Sequence, residues 1–274
     1  MTIRENDLGL GTIYERFALY DWLEILLKKY EINSVLEGPG DGLTGIPGLN
    51  SLVFGREGVH TIVALGSSRA VSLARRGWRT NAPGANVDFV LTANGRLPFK
   101  AESFDLVWNF NRLPFFPLKE LLSEMGAVSK NLVLIFVPNR RNYGYWLRRL
   151  HHRKTGRPWI YGNIEALNLH NLIALVEDQN LKVLETCYID APWWPDIIDI
   201  RQFMIDFIPL LDGLIPARNQ ENNRWQPENL PYFDIKKFQE VHHRIDRLSF
   251  IERMRSTTIK RVFAHHLGIL AYKR

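Results

Sequence analysis

Between Ser34 and Tyr272 the chain sets short, almost wholly apolar runs between longer stretches with helical spacing. A strand that is apolar at nearly every position is buried on both faces, and a sheet of such strands needs helices on each side. The runs are Ser34 to Glu37, His60 to Leu65, Val87 to Leu91, Phe104 to Phe110, Asn131 to Val137, Val183 to Ile189 and His266 to Tyr272. Helical spacing falls at Ile13 to Tyr30, Arg69 to Arg76, Leu118 to Val128 and Ile164 to Gln179. In the first of these, Phe17, Tyr20, Leu23, Leu26 and Leu27 share one face, and Lys28 and Lys29 suit the carbonyl end of the helix dipole. The expected fold class is therefore α/β, a doubly wound and mostly parallel sheet with helices on both faces.

Two regions break the alternation. Residues 139–162 are basic and aromatic, and about 191–262 separate the last two strands with helix-like stretches jointed at Pro192, Pro195, Pro209, Pro216, Pro227 and Pro231. An unstructured loop of that length is improbable in a compact domain, so the second region is expected to be a helical cap inserted before the last strand. The organisation expected is an N-terminal helical segment over 1–32 and one domain over 33–274.

Of the 274 residues, 46% are hydrophobic and 23% charged, which excludes disorder as the dominant state. The best apolar stretch, Phe203 to Pro216, is interrupted by Asp206 and Asp212, so no membrane span is expected. Residues Met1 to Leu10 are polar and acidic where a secretory leader would be apolar. Cys187 is the single cysteine, which excludes an intramolecular disulfide and a zinc cluster of cysteines. A soluble, reducing, cytoplasmic setting is expected.

The chemistry concentrates at Val35-Leu36-Glu37-Gly38-Pro39-Gly40-Asp41-Gly42, a strand that ends in an acid and runs into a glycine turn. Glycines let the backbone turn sharply and approach a ligand closely. The carboxylate at the strand end is expected to face that ligand at the carboxyl edge of the sheet. Gly40 to Gly45 also fits the G-x-G-x-x-G dinucleotide fingerprint. An NAD enzyme would carry an acid some 20 residues on, where this chain reads Ala64-Leu65-Gly66-Ser67-Ser68-Arg69. Small residues with an arginine would suit the 2′-phosphate of NADP, so an NADP-dependent oxidoreductase stays open on this stretch alone.

The acid-glycine turn resembles motif I of the class I S-adenosylmethionine-dependent methyltransferases. Downstream, Leu97-Pro98-Phe99-Lys100-Ala101-Glu102-Ser103-Phe104-Asp105-Leu106-Val107 resembles the "LPF-x-x-x-x-FD-x-V" run of the small-molecule members. Leu118 to Met125 and Asn131 to Asn139 resemble the helix and strand that follow it, so the likeness spans roughly Asn33 to Asn139. A dehydrogenase has no reason to show this order. The resemblance implies a Rossmann-like fold, S-adenosyl-L-methionine as cofactor, and methyl transfer to a small or medium acceptor. It implies cofactor contacts from Glu37, Gly38, Pro39, Gly40, Asp41 and Gly42 at the methionyl part. It implies Gly66, Ser67 and Ser68 at the ribose, Asn94 and Gly95 near the adenine, and Asn109 just past the fourth strand of that fold. The chain departs from the family pattern at two acids: Gly66 stands at the end of the second strand, and Ala93 stands before "LPF". A non-catalytic copy of the fold, kept for binding or scaffolding, is the alternative those departures favour.

Methyl transfer needs positioning above all, and a general base only when the acceptor must lose a proton. Asn111 and Asn139 lie where the acceptor would enter, and Trp108 is expected in the core. Residues 140–157 carry seven basic side chains and no acid, which leaves −1 for the rest of a chain whose net charge is +6. Arg140, Tyr143, His151 and His152 of this stretch are the candidate substrate-binding residues, with an anionic acceptor favoured. Nucleic acid is not expected, since no recognition module is present. Trp146, Leu147 and Leu150 beside Arg148 and Arg149 would allow peripheral membrane contact. Exposed aromatics in the insertion would allow a homodimer. The pairs His151-His152, His242-His243 and His265-His266 do not make a metal site by adjacency alone, because neighbours on a strand point to opposite faces. No metal is expected.

Overall fold

The computed structural model describes residues 5–40, 45–92, 96–156, 158–159, 162–164, 167–194, 200–208 and 224–274. Its central sheet is built from β2 (Ser34–Glu37), β3 (His60–Leu65), β4 (Val87–Leu91), β5 (Phe104–Phe110), β6 (Ser129–Pro138), β7 (Leu181–Ile189) and β9 (His266–Lys273). The strand order is β4-β3-β2-β5-β6-β9-β7. The first five strands pair in parallel, whereas β9 runs antiparallel between β6 and β7. A further pair, β1 (Asp7–Leu8) with β8 (Arg224–Trp225), ties the N-terminal segment to the insertion.

Side-chain alternation on β6 shows the two buried faces directly. Leu132, Leu134 and Phe136 enter one core, and Val133, Ile135 and Val137 enter the other. The first core is closed by α1 (Gly9–Lys29), α2 (Leu52–Arg56) and α3 (Ser68–Asn81), the second by α4 (Leu118–Val128) and α6 (Leu169–Glu177). The α1 helix begins earlier than its apolar spacing indicates. The α6 helix begins later, because the Asn168 side chain accepts from the Asn171 amide and caps it there.

The insertion contributes α7 (Ile200–Phe207), α8 (Gln239–Leu248) and α9 (Thr257–Phe263). Its Leu230, Tyr232 and Ile245 join the first core beside α1. Tyr232 meets Phe17 and Tyr20 edge-on, and Phe233 stacks on Tyr20. These aromatics thus extend the main core, so the N-terminal helix and the insertion are packed into one body with the sheet. Among the described residues, no helix is long and apolar enough to cross a membrane.

Candidate functional site

In an open α/β sheet, ligands bind beyond the carboxyl ends of the strands where the strand order reverses. Here that point lies between β2 and β5, and the chain leaves it as Gly38-Pro39-Gly40. The loop is fixed from several sides. The Gly38 amide donates to the Trp108 carbonyl (2.9 Å) and the Gly40 amide to the Ala64 carbonyl (2.7 Å). Asn109, fully buried, donates its side-chain amide to the carbonyls of Gly38 and Pro39 (3.1 Å each) and accepts from the Arg112 amide. The Gly38–Pro39 peptide is cis. A Cβ at Gly40 would lie 3.2 Å from both Glu37 Oε1 and Val63 Cγ1, so only glycine fits without displacing a neighbour. Leu97, from the "LPF" run, packs where a Cβ of Gly38 would go.

Glu37 corrects an expectation. Its carboxylate is fully buried and turns inward, accepting from Ser51 Oγ (2.7 Å) and Asn50 Nδ2 (3.2 Å). Ser51 Oγ in turn accepts from Trp108 Nε1, which lies in the core as expected. Gly45 and Gly48 adopt φ of +68° and +69°, and the first helix after the glycine turn is α2. Burial pushes the Glu37 carboxyl up to about 7, against the pull of its Ser51 and Asn50 hydrogen bonds and the Arg16 charge. A carboxyl raised from 4.5 binds more protons folded than unfolded, so stability falls as pH rises from about 4.5 to about 7. Glu37→Gln should remove that fall, worth about 3 kcal/mol, from urea unfolding compared at pH 5 and pH 8. An unchanged pH slope in the variant would assign the charge elsewhere.

Behind Glu37 runs a polar network that the sequence reading missed. Arg16 is buried and donates to Asp7 (3.0 and 3.3 Å), to Asn50 Oδ1 (2.7 Å) and to the Ile46 carbonyl (3.1 Å). Asp7 also accepts from the Ile46 amide and the Tyr232 hydroxyl. The available signal was Arg16 itself, a charge set between Ile13, Phe17 and Tyr20 on a face that is otherwise apolar.

The remaining cofactor candidates are spread along the neighbouring strand ends. Gly66 is exposed at the end of β3, Ser67 spends its hydroxyl capping α3 through the Ala70 amide (3.2 Å), and Ser68 is exposed in the first turn. Asp41, Gly42, Asn94 and Gly95 lie outside the described residues. Thus Gly38, Pro39 and Asn109 are in direct contact, with Glu37 beneath them.

The acceptor-side candidates divide into separate groups. Asn111, at φ +58°, turns its amide to His266 Nδ1 and is buried. Asn139 donates to the carbonyls of Arg261 and Ala264 (2.8 Å each), which makes it a clamp on the chain entering β9. Asn142 caps α5 (Tyr143–Thr155) through the Gly144 amide (2.7 Å) and reaches the Phe263 carbonyl (2.6 Å). Asn142→Ala should therefore cost about 2 kcal/mol in urea unfolding. Arg140 is half-buried, and the Tyr143 hydroxyl donates to the Trp193 carbonyl (3.0 Å). His151 Nε2 meets Asp206 Oδ2 at 2.5 Å beside the stacked rings of Phe203 and Phe207, and His152 sits edge-on to Trp159. The basic segment is thus a helix anchored to the insertion through His151. Asn111 belongs to a different cluster.

No protein-family model matches the sequence, and no curated protein does. Solved structures do. Magnesium protoporphyrin IX methyltransferase (ChlM) from Synechocystis PCC 6803, with bound SAH, superposes at a TM-score of 0.54 with 11% identity, over 98% of this chain and 85% of that one. The chain has the class I methyltransferase fold. MccD protein matches at 0.53 and 14% identity, over 93% of this chain and 96% of its own. The [4+2]-cyclase SpnF matches at 0.50 and 14%, over 93% and 80%. That this methyltransferase fold is also similar to a cyclase shows that the site, and not the fold, must carry a functional argument.

Proposed function

We propose that the chain binds S-adenosylmethionine at the loop from Gly38 to Gly42 and directs methyl transfer to a small or medium acceptor, favouring an anionic one. The observation that supports this most is the braced glycine turn at the point where the strand order reverses. Asn109, Trp108 and Ala64 hold the loop's peptide groups from below, and Leu97 closes against Gly38. A loop fixed in advance loses little entropy on binding and sets the angle of attack, which is where methyl transfer gains most of its rate. The donor set fits the group in part: Gly38, Pro39, Gly40, Asp41 and Gly42 would hold the methionyl moiety. Gly66, Ser67 and Ser68 would lie at the ribose, and Asn94 and Gly95 at the adenine. When bound, the cofactor supplies an electrophilic methyl on a sulfonium. The chain's own part is to hold it, exclude water and present the acceptor.

The acceptor preference rests on α5. It leaves the carboxyl end of β6 and carries Arg148, Arg149, Arg153 and Lys154. A second reading, a binding or scaffold protein without catalysis, is favoured by one observation. Gly66 offers no carboxylate to the ribose, and Glu37 is turned inward in its place. An NADP site is supported less, since Arg69 is engaged by Glu5. Mass spectrometry of small molecules released on denaturing the purified protein tests the proposal. Release of S-adenosylmethionine or S-adenosylhomocysteine is expected, and release of a dinucleotide instead would overturn it.

A further inference from the structure

The third histidine pair gathers a cluster that the methyl-transfer reading does not use. His266 opens β9 at the carboxyl edge of the parallel strands. Its Nε2 faces two carboxylates, Glu15 Oε2 at 2.9 Å from α1 and Asp190 Oδ2 at 3.3 Å from the end of β7. Its Nδ1 faces the Asn111 carboxamide, with Oδ1 at 3.1 Å and Nδ2 at 3.0 Å. His265 Nδ1 holds Asp190 Oδ2 at 2.8 Å.

We infer that Glu15, Asp190 and His266 form a binding site for a first-row divalent transition cation. Donor atoms of the three residues lie within 4.8 Å of one another. Ligand bonds of about 2.1 Å put neighbouring donors roughly 3 Å apart, the spacing found around His266 Nε2. A second observation points to a missing partner. Asp190 is buried, and its other oxygen, Oδ1, has no hydrogen-bond partner among the described residues, although a buried carboxylate oxygen without one is costly. The surroundings suit ligation through Nε2. Asn111 can accept the Nδ1 proton and direct the Nε2 lone pair at the cation, and His265 orients the Asp190 carboxylate, the support that metal-binding imidazoles and carboxylates ordinarily receive. One imidazole nitrogen with two carboxylate oxygens selects manganese, iron, cobalt or zinc over soft-ligand metals, and the nitrogen disfavours magnesium and calcium. The Glu15 side chain keeps 12% of its surface, so the site opens toward solvent on that side. Asn111 follows Asn109 by two residues, which sets the cation on the acceptor side of the glycine loop. An acceptor oxygen would complete its coordination, and that last step alone rests on the methyl-transfer reading.

The test uses untagged full chain, stripped with a chelator and titrated calorimetrically with manganese(II) and with zinc(II), without S-adenosylmethionine. One equivalent should bind and raise the unfolding temperature. Glu15→Gln should weaken binding by more than the ~10–100-fold that losing a ligand's orienting partner costs. Glu24→Gln, on the exposed side of the same helix, should bind as the unaltered chain does. Manganese bound to the unaltered chain should show nitrogen coupling from one imidazole in pulsed electron paramagnetic resonance, a reading independent of how any variant folds. No binding of either metal, an unchanged affinity in Glu15→Gln, or bound manganese without nitrogen coupling would each overturn the inference. Because no cofactor is present, failure here leaves the methyl-transfer reading to its own test.

Discussion

Arg16→Met should destabilise the protein by about 3–5 kcal/mol, the range for removing one partner of a buried ion pair. Asp7 is fully buried, and without Arg16 its carboxylate keeps, among the described residues, the Ile46 amide and the Tyr232 hydroxyl. Asn50 Oδ1 and the Ile46 carbonyl lose their donor at the same time. The damage should spread beyond α1, because Asp7 belongs to the strand that pairs with the insertion and Asn50 is one of the two groups that hold Glu37. Urea unfolding followed by far-ultraviolet circular dichroism measures the loss. A double variant, Asp7→Asn with Arg16→Met, should lose less than Arg16→Met alone, since no uncompensated charge remains. If the two lose the same amount, the pair contributes through packing and not through charge.

The second large effect concerns the glycine loop. Gly40→Val should lower affinity for S-adenosylmethionine at least ~100-fold, the scale on which a displacement of about 1 Å degrades a positioned site. Its Cβ would press on Glu37 Oε1, Val63 Cγ1 and the Ala64 carbonyl at 3.2 to 3.3 Å, and the two added methyl groups would push the loop off its seat. Overpacking of this kind costs about 1–3 kcal/mol, so the variant should still fold. Gly126→Ala, in α4 where a Cβ would meet Leu181 at an ordinary 3.7 Å, serves as the control. Unchanged affinity in Gly40→Val would remove the loop from the binding site.

The inner strands of the sheet were legible because both of their faces are buried, so β2, β3, β5, β6 and β9 are written as nearly continuous apolar runs. The glycine turn was legible because its backbone requirement falls on particular residues, as the fit of Gly40 shows. Side-chain direction was not. Glu37 and Asn109 have the residue types of a ligand-facing edge, yet both turn inward because Asn50, Ser51 and the Gly38–Pro39 carbonyls offer partners that a linear reading cannot bring near. For the same reason Asp7 and Arg16 read as an ordinary N-terminal segment, and His266 as one of three similar pairs. Its companions Glu15 and Asp190 stand 251 residues and 76 residues away in the chain. Long-range polar networks leave only one trace in sequence, a charged residue in an apolar pattern, and Arg16 is the case in point.

The most direct test of the central claim is calorimetric titration of the full chain with S-adenosylmethionine, S-adenosylhomocysteine and NADPH in parallel. A site at the Gly38 loop predicts that the first two bind with one equivalent, that NADPH does not, and that Gly40→Val abolishes the heat of both. Binding of NADPH alone, or of none of the three, would contradict it.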